Sequence, residues 1–116
     1  MKTKPKITLS VADEFSRTPG PRYEVEGDFS GESFRKSLLF PKLNKTIQDN
    51  SLLEINLDGT AGYGTSFLEE AFGGLIRHNK LNRETIKNSI QIISDEEEYL
   101  IDDIEKYLDD AAREAI

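Results

Sequence analysis

The chain of 116 residues contains no cysteine, so it has neither a disulfide framework nor a thiolate metal site, and it suits a reducing compartment. Histidine is nearly absent. His78 stands alone, so paired imidazoles cannot build a metal centre, and no metal or cofactor is expected. No apolar run approaches the ~20 residues needed to span a bilayer. The basic start, Met1-Lys2-Thr3-Lys4-Pro5-Lys6, leads into a strand-like run instead of the apolar block of a signal peptide. These absences predict a cytoplasmic protein without a membrane partner. Basic residues interleaved with aromatics are missing too, and the net charge of −7 opposes a phosphate backbone, so nucleic acid is not an expected partner.

What is present suits one hydrophobic core: a single domain over residues 1–116, with residues 1–5 as a flexible terminus. The acidity is local. Residues 95–116 carry ten acids and two bases, leaving residues 1–94 close to neutral.

Period-2 alternation predicts strands at Lys6 to Val11 and, after the Pro19-Gly20-Pro21 turn, at Arg22 to Glu26. Ser30 or Asp28 caps a helix carrying Phe34, Leu38 and Leu39, and Pro41 predicts a kink or break before Leu43 and Ile47. Ser51 to Leu57 is the strongest strand, expected at the sheet centre. A glycine-rich turn, Asp58 to Gly64, then leads into a helix with Phe67, Leu68, Ala71, Phe72, Leu75 and Ile76 on a wide apolar face. Gly73-Gly74 within that helix costs roughly 1 kcal/mol per glycine relative to alanine, which points to close packing or to a partner lying against it. One or two helical turns over Asn82 to Asn88 precede a strand at Ser89 to Ile93. Ser94-Asp95-Glu96-Glu97 reads as a capping box opening an acidic C-terminal helix. The Leu100, Ile104 and Leu108 face of that helix is expected on its own sheet, with self-association as the alternative; the oligomeric state stays open. The fold class is α/β: a mixed sheet of about four strands with helices packed on it.

The turn at Asp58 to Ser66 carries the chemistry. A phosphate cradle would need a lysine in the first helical turn or a spaced glycine fingerprint, and neither is present. A nucleophile at Thr65 or Ser66 would need a base, and His78 lies on the order of 18 Å along the helix from Ser66 at about 1.5 Å rise per residue. Two readings remain. Thr65 and Ser66 are either helix caps, or phosphoacceptors for a separate kinase. Tyr63 either anchors a partner or folds back on the core. Arg22 and Arg35 are candidate anion-binding residues, with internal pairing to Glu32 or Asp58 as the alternative. The acid pairs Asp102-Asp103 and Asp109-Asp110 read as solubilising charge.

Ile55-Asn56-Leu57-Asp58, the turn, and Thr65-Ser66-Phe67-Leu68 running to Gly73 resemble the central strand and helix of STAS domains, the fold of bacterial anti-sigma-factor antagonists. There an Asp-Ser-Ser-Gly motif starts the helix, and its first serine is phosphorylated by the partner kinase. Aligned without gaps, Thr65 and Ser66 fall on the two serines, while Gly64 replaces the aspartate and Phe67 the glycine. Pro19-Gly20-Pro21-Arg22, Ser30-Gly31-Glu32-x-Phe34-Arg35, Pro41 and Ser66-Phe67-Leu68-Glu69-Glu70 are similar to the uncharacterised STAS-like family of bacterial proteins, over most of residues 7–95. The resemblance implies the fold and a regulatory theme without a reaction. The expected function is thus a non-catalytic protein-protein interaction module. It would dock a partner kinase or switch ATPase through Asp58, Gly59, Gly62, Tyr63, Gly64 and Phe67, with Thr65 or Ser66 as phosphoacceptor. The alternative is a nucleotide or phosphate-ligand sensor using Arg22, Arg35 and the turn amides.

Overall fold

The computed structural model describes residues 4–115. Its strands are β1 (Lys6–Ser10), β2 (Leu52–Asn56) and β3 (Ile90–Ile93), hydrogen-bonded in the order β1-β2-β3 and parallel throughout. Register places Leu9 beside Ile55 and Ile55 beside Ile92, so one sheet face is aliphatic. The alternate residues Thr8, Glu54 and Gln91 form a polar row on the other face, with Lys6 near Glu54 at 3.6 Å. Of the terminus expected to be flexible, residues 1–3 lie outside the described residues. Pro5 is tied to the sheet, its carbonyl accepting from Leu52 N at 2.8 Å.

Three strands, not about four, are found among the described residues, and the sheet is not mixed. The missing one is Arg22 to Glu26, where Glu24–Glu26 form a 3-10 turn. Alternation favours a strand only where an edge accepts it. Here the Tyr23 amide is taken by Glu26 Oε1 at 2.9 Å instead. Val11 also leaves β1 for a short helix, α1 (Val11–Glu14), because Ser10 Oγ accepts from Asp13 N at 3.2 Å.

Ser30 caps the next helix as expected, its Oγ accepting from Ser33 N at 2.9 Å. Helix α2 (Gly31–Phe34) runs through a π-helical turn (Arg35–Leu39) into α3 (Phe40–Gln48) without a break. Pro41 explains that turn: a proline ring crowds the carbonyl four residues back, and the wider π turn, with Phe40 N donating to Arg35 O, makes room. The second crossover is built alike, from α4 (Thr65–Leu68), a π-helical turn (Glu69–Gly73) and α5 (Gly74–Arg77). Where the two rods cross, Gly31 is required, because a Cβ there would stand 2.4 Å from the Phe67 carbonyl oxygen.

Helix α6 (Arg83–Ser89) is capped by Asn82 and leads into β3. The last helix, α7 (Tyr99–Glu114), starts later than the capping-box reading. Ser94 Oγ donates to the Glu97 carbonyl, and the amides of Asp95 and Glu96 go to Asp58. Leu100, Ile104, Leu108 and Ala111 are enclosed by the chain's own core, while Arg83 fastens α7 through Glu105 at 2.5 Å and Asp109 at 2.8 Å.

Candidate functional site

Four hydrogen bonds hold the start of the turn. Asn56 Oδ1 accepts from Asp58 N at 2.9 Å, which folds the chain back as β2 ends. The Asp58 carboxylate accepts from Asp95 N at 3.1 Å and Glu96 N at 3.0 Å, and Glu96 Oε1 accepts from Gly59 N at 2.8 Å. Gly59 is left-handed at φ +92°, a conformation that costs other residues ~1–2 kcal/mol. Further on, Ala61 N donates to the Arg17 carbonyl and Gly62 N to Thr60 Oγ1. Four of the turn amides, those of Asp58, Gly59, Ala61 and Gly62, are consumed internally.

Tyr63 folds back. Its hydroxyl donates to the Leu57 carbonyl at 2.8 Å and its ring lies 5.8 Å from that of Phe67. Burial pushes the phenol well above the ordinary tyrosine range, with Asp58, Glu97 and Glu96 adding to the shift against a hydrogen bond from Thr60. Phe67, expected on the docking surface, is buried and stacks on Phe34 at 5.8 Å. A phenylalanine at the third helical position falls on the inward face of the rod. Neither aromatic reaches outward as an anchor; both support the turn from beneath.

Thr65 and Ser66 do not cap the helix either. Gly64 holds that position in extended conformation, leaving Thr65 and Ser66 as the first two helical residues, both exposed. Thr65 faces a cleft of about 640 Å³ between the α4 rod and α7, lined also by Arg22, Tyr23, Glu69, Arg77, Lys106 and Tyr107. Asp103, Asp110 and Glu114 complete the α7 wall. The Tyr107 phenol in the same cleft has its pKa raised by burial first and by Asp103 next, with Thr65 acting in the opposite direction.

The cleft floor is an ion network. Glu69 Oε1 accepts from Arg22 Nη1 at 2.5 Å and Arg77 Nη2 at 3.0 Å, and Oε2 from Arg77 Nη1 at 2.5 Å. Burial pushes the Glu69 carboxyl up, but the hydrogen bonds from Arg77 and Arg22 outweigh it and hold its pKa below the usual range. Beneath it, Glu70 accepts from Arg35 at 3.1 Å and from Arg77 at 3.4 Å, and Arg35 also donates to Asn79 at 3.0 Å. Both sequence-selected arginines therefore pair internally, with Glu69 and Glu70 instead of Glu32 or Asp58. Arg22 still reaches the cleft, whereas Arg35 is enclosed. His78, at the end of α5, lies 3.8 Å from Glu70 and is mostly exposed.

The Glu69-Glu70 pair was missed as a structural centre by sequence reasoning. Its signal was an acid pair inside an apolar helical stripe, followed by Gly73-Gly74. A Cβ on Gly74 would stand 2.4 Å from Arg35 Nε, and one on Gly73 would stand 2.5 Å from Glu69 Oε2. Close packing against the body of the Arg35 side chain accounts for Gly74, whereas Gly73 faces the ends of the Glu69 and Arg77 side chains.

A parallel three-stranded α/β domain with two π-turned rods and a polar cleft beside its first helical residues is what this geometry defines. The chain belongs to the family of STAS-like domains of unknown function (DUF4325), whose model matches residues 30–100. That span holds β2, the turn, both rods and β3. No match was found among curated proteins or among solved structures. Among the described residues, no helix is long and apolar enough to cross a membrane.

Proposed function

We propose that the chain is a non-catalytic regulatory module that docks a partner protein, a kinase or switch ATPase, on the face formed by the Gly59 to Gly64 turn and the start of α4. One observation carries this reading: Thr65 and Ser66 stand exposed at the start of α4, next to a turn fastened through Asp58, Gly59 and Tyr63, with Thr65 opening onto a cleft that contains Arg22 and Lys106. A fixed platform lowers the ordering cost of association. A phosphoryl group on Thr65 would bring about two negative charges into a cleft that holds both those cations and the carboxylates of Glu69, Asp103, Asp110 and Glu114, enough to alter a docked surface.

The test is phosphotransfer and binding with the kinase that co-purifies with the chain. Label should appear on wild type and vanish in Thr65→Ala, or in Ser66→Ala if that hydroxyl is the acceptor. Thr65→Asp should shift affinity at least tenfold. A partner that binds Thr65→Asp and Ser66→Asp as it binds wild type would overturn the reading.

The cleft itself favours a narrower form of the ligand-sensor alternative. Such a ligand would meet Lys106, Thr65 and Arg22, the last already paired with Glu69, since Arg35 is enclosed and the amides of Asp58, Gly59, Ala61 and Gly62 are engaged. Calorimetry against a nucleotide panel, with Arg22→Gln as control, separates it from protein docking.

A further inference from the structure

The alternating segment Tyr23-Glu24-Val25-Glu26 joins no strand and contributes no side chain to the core. All seven residues from 23 to 29 are exposed. Of the large apolar side chains exposed among the described residues, three lie here: Tyr23 at 44%, Val25 at 91% and Phe29 at 48%, with Tyr99 elsewhere. Scattered apolar exposure is ordinary, but here three such side chains fall within seven residues of one loop.

The segment is a closed loop held in one shape. Gly20 N donates to the Phe29 carbonyl at 2.8 Å, joining its ends, and Gly31 N donates to the Pro21 carbonyl at 2.9 Å. Glu26 N donates to the Tyr23 carbonyl at 3.0 Å, while Glu32 Oε1 accepts from Glu24 N at 2.9 Å. Gly20 permits the closure, since a Cβ there would stand 2.2 Å from the Asp28 carbonyl oxygen. Phe29 is held at φ +55°, with its ring edge-on to Phe15 at 5.6 Å. That left-handed conformation costs a phenylalanine ~1–2 kcal/mol, so the loop spends stability to hold a half-exposed ring in place.

Its charge is one-sided. Glu24, Glu26 and Asp28 alternate with the apolar residues, and Lys36 answers Glu24 at 2.9 Å. Arg22, the loop's own cation, turns inward to Glu69. An apolar tip within an acidic collar is complementary to a basic protein surface and is repelled by an anionic lipid surface.

We infer that the loop over residues 20–29 is a docking element whose Tyr23, Val25 and Phe29 enter an apolar pocket rimmed by lysine or arginine on a partner protein. Tyr23 and Thr65 line the same cleft, so this surface is continuous with the α4 start. The inference rests on the reading of the chain as an interaction module, but not on the Gly59 to Gly64 turn or on modification of Thr65.

A photo-crosslinking residue is placed at Val25, at Ser66 and, as an exposed control, at Lys87 in the full chain within its native cell, and the crosslinked peptides are sequenced. The captured protein is then purified and titrated at 50 and 300 mM salt. The expected result is an adduct at Val25 on a different protein, at least tenfold weaker binding by Val25→Asp at an unchanged melting temperature, near wild-type binding by Val25→Leu, and weakening with salt. No adduct beyond that at Lys87, an adduct joining two copies of this chain, a lipid adduct, or Val25→Asp binding as wild type overturns the inference. An adduct at Val25 without one at Ser66 supports this surface and removes the turn from the interface. The reverse pattern removes the loop.

Discussion

Arg35 donates to Glu70 at 3.1 Å from one π-helical turn to the other, with side-chain exposures of 5% and 2%. Removing one partner of an enclosed ion pair leaves a charge that neither water nor a counterion can reach, at about 3–5 kcal/mol. The two single variants should differ, because Glu70 retains Arg77 at 3.4 Å whereas Arg35 retains only neutral Asn79. Urea denaturation should therefore show Glu70→Leu losing about 3–5 kcal/mol, Arg35→Met losing less, and the double variant recovering part of the Glu70→Leu loss. Equal losses in the two singles would contradict the asymmetry.

Gly74→Ala tests how tightly that pair is enclosed. Alanine gains roughly 1 kcal/mol over glycine in a helix interior, yet its Cβ would lie 2.4 Å from Arg35 Nε and 2.9 Å from Arg35 Cδ. These atoms are mid-chain in a buried side chain and cannot swing aside, so overpacking wins, with a net loss of about 1–3 kcal/mol. In an Arg35→Met background the penalty should shrink. Thermal melts of the four variants measure the coupling.

These two residues show why the sequence was only partly legible. The glycine pair announced a close approach, because backbone freedom inside a helix has a local cost that can be read without a fold. What approached it could not be read: Arg35 and Glu70 are 35 positions apart, and their meeting depends on two rods crossing at Gly31 and Phe67. Ser51 to Leu57 was legible as the central strand, since Leu53, Ile55 and Leu57 share one face. Arg22 to Glu26 has the same alternation but no accepting edge, so its period misled. Likewise, Phe67 and Tyr63 adjoin the exposed hydroxyls in sequence, but helix phase and one hydrogen bond to Leu57 turn them inward.

Asp58 belongs to the turn's mechanics. Its carboxylate accepts from the amides of Asp95 and Glu96, and charged acceptors contribute about 1.5–3 kcal/mol. Asp58→Ala should destabilise the chain by that order and speed hydrogen exchange at both amides. Exchange at the β2 amides, governed by global opening, should rise only as far as the stability loss requires. Unchanged protection at Asp95 and Glu96 would show that the turn is held by other contacts.

The Glu69 carboxyl gives the network a pH signature whose sign follows from its environment. Burial alone would raise its pKa, but the Arg77 and Arg22 hydrogen bonds bring it below the usual glutamate range. The folded chain thus binds this proton less readily than the unfolded chain does. The associated stability is present above the unfolded pKa and is lost as pH falls through the folded value. Glu14, lowered by Lys42 and the Ser10 amide against its own burial, acts in the same direction. Glu69→Gln should be less stable at pH 7 and should lose less stability between pH 5 and pH 3, so the two curves converge on the acid side. Parallel curves over that window would mean that Arg22 and Arg77 gain nothing from the ionised carboxylate, and the cleft floor would then be held by packing alone.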